Sequence, residues 1–183
     1  MAILKKINCV LTFSERVLMG IAALMMFLIM LLVVVDVMLR YFFNSPLAWS
    51  YELISLYLMV GLFFFSLSDA LRCNAHVSVD LLQYKMSARV RHGVEMVGYF
   101  FASVVFAGIL YMSIERTYIS YIGHDVIAGS IAWPTWLSNI AVPVGSGVML
   151  LRMIFRVIGH GLSLLTNQSV IPLPPLSGKG EEL

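Results

Sequence analysis

Four stretches of this chain, residues 17–35, 53–68, 96–114 and 126–151, contain no charged side chain. A helix needs about 20 apolar residues to cross the hydrocarbon core, and it must satisfy its own backbone hydrogen bonds because lipid offers none. Each run therefore predicts a transmembrane helix, at 17–39, 48–70, 94–116 and 136–158. The fold class is an all-α membrane protein with a four-helix transmembrane domain over residues 17–158. Composition agrees: 60% of residues are hydrophobic and 12% charged, with mean hydropathy +0.91, whereas about a quarter of a soluble domain is charged. The first run is too long for a cleaved signal sequence and lacks a small-x-small cleavage site.

Lysine and arginine placement orients the helices. Lys5, Lys6 and Arg16 precede span 1; Arg72, Lys85, Arg89 and Arg91 sit in the central connector; Arg152, Arg156 and Lys179 lie on the C-terminal side. The other two connections hold only Arg40 and Arg116. The positive-inside rule puts both termini and the central connector in the cytoplasm, and the turn at 36–52 outside.

In the cytoplasmic N-terminal arm, residues 1–16, Ile3, Ile7, Val10 and Leu11 share a helical face. This suits either an amphipathic helix lying in the headgroup region or an extension of span 1. The central connector places Val79, Leu82, Met86 and Val90 on one face, which predicts a second interfacial helix. Lys5, Lys6, Lys85, Arg89 and Arg91 are the expected contacts to lipid phosphates. The cytoplasmic tail, 159–183, is rich in Pro, Gly and polar residues after 166 and is expected to be disordered there.

The 36–52 turn gathers Asp36, Arg40 and Glu52 beside the bilayer, where ionisable groups are costly and mark candidate sites. Asp36 and Arg40 are spaced i, i+4 and can pair along span 1. Glu52 can reach back to Arg40 across the hairpin, and Arg–carboxylate pairing is strong where partly desolvated. Asn44 or Ser45 is placed to cap the next helix, with Pro46 near its first position. Trp49 and Tyr51 then fall at interfacial depth. A clasp within the chain is the reading geometry favours; a docking surface for another protein is the functional one. In the second outer connection Trp133 and Trp136 flank Pro134. Gly98, Ala102, Ala107 and Gly108 in span 3, and Ala141, Gly145, Ser146 and Gly147 in span 4, allow close helix approach. Internal packing explains them, or a partner helix does.

Little catalytic chemistry is supported. A carrier keeps ionisable groups or broken helices near the midplane, yet here every charge lies outside the apolar runs, and Pro143 is the one expected kink. Asn139 is expected to make a helix–helix hydrogen bond. His76, His92, His124 and His160 have no i, i+4 metal spacing and are expected at the interface or in solvent. Cys9 and Cys73 form no CxxC pair, and no GxSxG occurs. No catalytic, metal or cofactor site is expected. The net charge of +2 and the lack of a basic block argue against a nucleic-acid partner.

An ordered set of residues resembles a known family, the small membrane subunit (DctQ-type) of tripartite ATP-independent periplasmic (TRAP) transporters. The set comprises Asp36, Arg40-Tyr41, Asn44-x-Pro46, Trp49 and Glu52 in the first hairpin. It continues with Arg72 and His76-Val-x-Val79-Asp80 in the connector, then Pro134-x-Trp136, Pro143 and Arg152 around span 4. It covers residues 15–156. The resemblance implies a bacterial inner-membrane complex that imports organic acids, such as dicarboxylates or sialic acids, on a sodium gradient. A periplasmic binding protein delivers the substrate, a large elevator-type membrane subunit carries it, and the small subunit braces that large one. The chain ends soon after span 4, which implies a separate large subunit. Ile131-Ala-Trp133 departs from the family's more common Ser-Pro-rich approach to Trp136, at the outer turn that would meet the binding protein.

Rival readings are an independent homo-oligomeric carrier, the small subunit of a different tripartite carboxylate importer, and a membrane redox enzyme. The first requires uptake by the chain alone. The last requires a visible cofactor or paired cysteines.

Overall fold

The computed structural model describes residues 2–74, 87–127, 129 and 131–166. Four helical segments within it are long and apolar enough to cross a membrane: Lys6–Phe43, Ser50–Arg72, Arg89–Ile122 and Thr135–Leu164. One coincides with each charge-free run.

Helix α1, Ala2–Phe43, is a single helix of 42 residues. At 1.5 Å per residue it is about 63 Å long, roughly twice the hydrocarbon thickness. The N-terminal arm is thus an extension of span 1 and not a separate interfacial helix. Nothing in the arm stops it, since residues 2–43 contain no proline and a single glycine, Gly20. Its inward stripe also runs through the junction: Leu11, Glu15, Leu18, Ala22, Met25, Ile29, Leu32, Asp36 and Leu39 are all buried or half-buried. That three-four spacing is the seam of a left-handed helix pair.

The second span comprises a short α2, Ser50–Glu52, a π-helical turn, Leu53–Leu58, and α3, Met59–Arg72. Helix α4, Ala88–Ile122, absorbs the last residues of the central connector, so Arg89 and Arg91 lie in its first turn. A two-residue ribbon follows, β1 (Val126–Ile127) antiparallel to β2 (Trp133–Pro134), pairing Val126 with Pro134 and Ile127 with Trp133. The fourth span is split into α5, Thr135–Asn139, and α6, Ala141–Thr166. The break falls at Ile140, where the ring of Pro143 crowds the carbonyls one turn earlier. That is the kink expected from the sequence. Three helix ends are stopped by residues in the left-handed conformation, Asn44 (φ 48°), Asn74 (φ 52°) and His124 (φ 49°), a role open to Asn but costly for most side chains.

Packing orders the spans as a row: α1 lies against α3, α3 against α6, and α6 against α4. The core sits where the inner helices meet, with Leu71, Met149 and Met153 buried against Leu67, Tyr99, Ala102 and Phe106. Gly145 lets α6 approach α3 so closely that a Cβ there would land on the Phe64 carbonyl. Ala141 and Ser146 are buried nearby, so the small residues of span 4 serve internal packing. Those of span 3 divide. Ala102 joins the core, while added side-chain carbons at Gly98 and Gly108 would meet nothing.

The outermost helices present apolar faces. Phe13 (70%), Met26 (64%), Phe101 (65%) and Met112 (64%) are exposed. In water such continuous apolar surface would drive association; in a bilayer it is the expected lipid-facing side. The bundle thus has a termini end, with the start of α1 and the end of α6, and a hairpin end, with the turns at 44–49 and 123–134.

Candidate functional site

Charged groups collect at both ends of the bundle. At the termini end, Glu15 is fully buried (0% exposed) and Arg152 nearly so (4%). Arg152 Nε donates to Glu15 Oε1 at 2.6 Å, and its Nη2 to Glu15 Oε2, a bidentate clamp. The same guanidinium reaches Asn8 Oδ1 at 2.7 Å and Thr12 Oγ1 at 3.2 Å. Ser68 of α3 donates to Glu15 Oε1 at 2.7 Å, and Arg72 Nε lies 3.6 Å from Oε2. Asp69 in turn holds Arg72 through Nε at 3.0 Å and Nη2 at 2.6 Å. Two carboxylates thus face two guanidiniums, which is the condition under which buried charge is tolerated. One network joins α1, α3 and α6.

A second arginine of α6 does the same for the other neighbours. Arg156 Nη2 donates to the carbonyls of Leu71 (2.6 Å) and Arg72 (3.3 Å), and Nη1 to Asn74 Oδ1 (2.8 Å) and Tyr99 Oη (2.6 Å). It caps the end of α3, where unpaired carbonyls and the helix dipole favour a cation. Beyond it, His160 of α6 and His92 of α4 meet Nδ1 to Nδ1 at 2.9 Å, both buried, with Tyr99 stacked on His160 at 5.8 Å. One ring must donate and the other accept. Of the expectation that these two histidines are interfacial or solvated, the solvated alternative is corrected: each is shielded by the other's helix. His124 is exposed.

At the hairpin end, Asp36 does the organising. Its Oδ2 accepts from Arg40 Nη2 at 3.0 Å, and its Oδ1 accepts the backbone N–H of Leu47 at 2.7 Å. One carboxylate therefore fixes both the end of span 1 and the entry to span 2. Asn44 terminates α1 and does not cap the next helix, which starts only at Ser50 with Trp49 preceding it and no side-chain cap. Glu52 does not take the place beside Arg40. Its carboxylate lies against Gly129, where a Cβ would collide with it. Asp36, Arg40, Pro46 and Tyr51 line an open cavity of about 530 Å³, and Tyr41 stands outward at 83% exposed.

The second connection docks on the π-helical turn. Tyr57 Oη donates to the Pro134 carbonyl at 2.8 Å, and Ser138 Oγ donates to the Leu56 carbonyl. Such turns shift backbone carbonyls out of the regular ladder. Here two of the residues involved meet the chain that follows α4. Trp133 packs on Tyr57 at 5.9 Å and Trp136 on Tyr121 at 5.8 Å. Asn139 Nδ2 donates to Ser120 Oγ at 3.2 Å, the helix–helix bond expected of it.

Of the residues singled out from sequence, the structure joins Asp36 with Arg40 and draws Arg72 and Arg152 into one network. Pro143 lies two residues into α6, and Lys5 and Lys6 fall in the first turns of α1. His76, Asp80 and Lys85, and the tail after 166, lie outside the described residues. Sequence reasoning passed over Glu15 and Arg156. The available signal for Glu15 was polar spacing, since Asn8, Thr12 and Glu15 recur on one face of α1.

Four membrane-length helices, fastened to one another by buried charged and polar contacts, define a helical membrane protein. The match to a family model places it further. Residues 29–160 match the model for the DctQ component of tripartite ATP-independent periplasmic transporters. The chain belongs to that family, as a small membrane subunit of a TRAP transporter. It is a family of transporter components and not of enzymes, found in the bacterial inner membrane. No curated protein and no solved structure matches the chain.

Proposed function

We propose that this subunit braces the large, elevator-type membrane subunit of a sodium-driven, binding-protein-dependent importer of organic acids. The observation that carries the reading is the pair of arginines on α6. Arg152 fastens α1 and Arg156 fastens α3 and α4, so the row of helices is tied at the termini end by buried polar contacts. A brace must resist shear while its neighbour moves, and directional bonds resist sliding better than apolar contact does. The termini end faces the cytoplasm, in keeping with the excess of Lys and Arg there.

The first hairpin is the docking element. Asp36 shapes it from within, while Arg40, 67% exposed at the side chain, and Tyr41 stand outward. Glu52, wedged under Gly129, links the first hairpin to the second connection. Co-expression with the large subunit tests this. Arg40→Ala and Glu52→Gln should each lower co-purification in mild detergent severalfold, and unchanged assembly with unchanged uptake would count against the hairpin's role. In vesicles, sodium-driven carboxylate uptake should require the large subunit and the binding protein. Accumulation by this chain alone would make it a carrier in its own right.

A further inference from the structure

On the hairpin half of α4, a groove runs between that helix and the fourth span. Its deeper part, about 480 Å³, is walled by Gly108, Ile109, Met112 and Val142. A second cavity of about 410 Å³ continues toward the hairpin end past Glu115 and Asp125, and the two share Met112 and Arg116. Volumes of this size are typical of small-ligand sites. The first cavity is mostly apolar, with Ser113, Asn139 and Arg116 also on its wall, and the second is more polar.

Three charges line that mouth. Among the described residues, Glu115, Arg116 and Asp125 have no ion-pair partner. Arg116 lies six residues before the end of α4 at Ile122, about 9 Å along the axis. Tyr118, Tyr121 and Trp136 mark the same level on another side of the helix, as aromatic side chains do at headgroup depth. A guanidinium at that depth matches phosphate. The two carboxylates beside it disfavour a purely anionic head group and suit an ammonium. An apolar wall in the first cavity, Arg116 shared by both, and carboxylates confined to the second complement acyl chain, phosphate and amine.

We propose that this groove holds one phospholipid with a zwitterionic, primary-amine head group, taken from the leaflet at the hairpin end. The acyl chain lies over Gly108, where an added side-chain carbon would meet nothing, the phosphate on Arg116, and the ammonium between Glu115 and Asp125. The groove opens on the face of α4, an outermost helix of the row, whereas the Asp36–Arg40 hairpin belongs to α1 at the other extreme. The site is therefore separate from the docking element.

Native mass spectrometry of the full chain, released from detergent after incubation with phosphatidylethanolamine or phosphatidylglycerol, tests the proposal without any transport readout. The wild type should retain one phosphatidylethanolamine at least tenfold better than phosphatidylglycerol. Arg116→Gln should lower that retention about tenfold. Gly108→Leu, which fills the acyl floor and favours the helix, should do likewise, while Gly98→Leu, outside the groove, should leave it unchanged. Circular dichroism melts matching the wild type establish that the variants fold. Absence of bound lipid, equal retention of the two lipids, or wild-type retention by Arg116→Gln or Gly108→Leu would each overturn the assignment. So would a photocrosslinker at Met112 that captures the large subunit instead of lipid in the assembled complex.

Discussion

Arg152 shows how much one residue can depend on another far away in sequence. Its guanidinium is clamped by Glu15, Asn8 and Thr12, all near the start of the chain. Removing one member of a buried pair leaves the other charged and unpartnered, which costs about 3–5 kcal/mol, whereas replacing both with apolar residues is often neutral or better. Glu15→Ala should therefore destabilise the detergent-solubilised chain by about that amount, measured by thermal or denaturant unfolding. Glu15→Leu combined with Arg152→Met should recover most of the loss. If the single and double variants lose equally, the pair is not the clasp described here. The sequence marks Arg152 as a charge at the end of an apolar run, but its partner lies 137 residues away, and no local pattern connects the two.

Among the elements, α6 is the one on which the others depend. It touches α3 and α4 along its length, reaches α1 through Arg152, and approaches α3 most closely at Gly145. Spans 3 and 4 therefore answer differently to the same substitution. Gly145→Ala puts a methyl group on the Phe64 carbonyl, backbone that cannot swing aside, and overpacking of this kind costs about 1–3 kcal/mol. Gly98→Ala on α4 meets nothing within 4 Å and should be neutral or stabilising by up to about 1 kcal/mol, because alanine is the better helix former. Unfolding midpoints of the two variants, compared in one detergent, check the contrast. Glycine spacing alone made the spans look alike. The kink at Pro143, by contrast, was legible, because a missing N–H acts within one turn.

For the whole molecule, the orientation proposed from the excess of Lys and Arg at the termini end is directly testable. Cys9 and Cys73 are free and exposed, and both sit at the termini end, one near the start of α1 and one at the close of α3. With the termini end in the cytoplasm, a membrane-impermeant maleimide should label both in inverted vesicles and neither in intact spheroplasts. Labelling from outside would reverse the topology, and with it the assignment of the Asp36–Arg40 hairpin to the outer face.

The charge-free runs by themselves determined the four spans and the all-helical class, because hydrophobicity and backbone satisfaction in lipid are properties of consecutive residues. They also located the first hairpin and its Asp36–Arg40 pair, four residues apart on one helix. Only the tertiary structure decided the row order, the merging of the N-terminal arm into α1, the place of Glu52 beneath Gly129 and not beside Arg40, and the meeting of His92 with His160. Each of these depends on which helix faces which, and in lipid that choice rests on small residues and a few directional bonds whose partners lie in other spans. A hydropathy profile carries no record of such pairings.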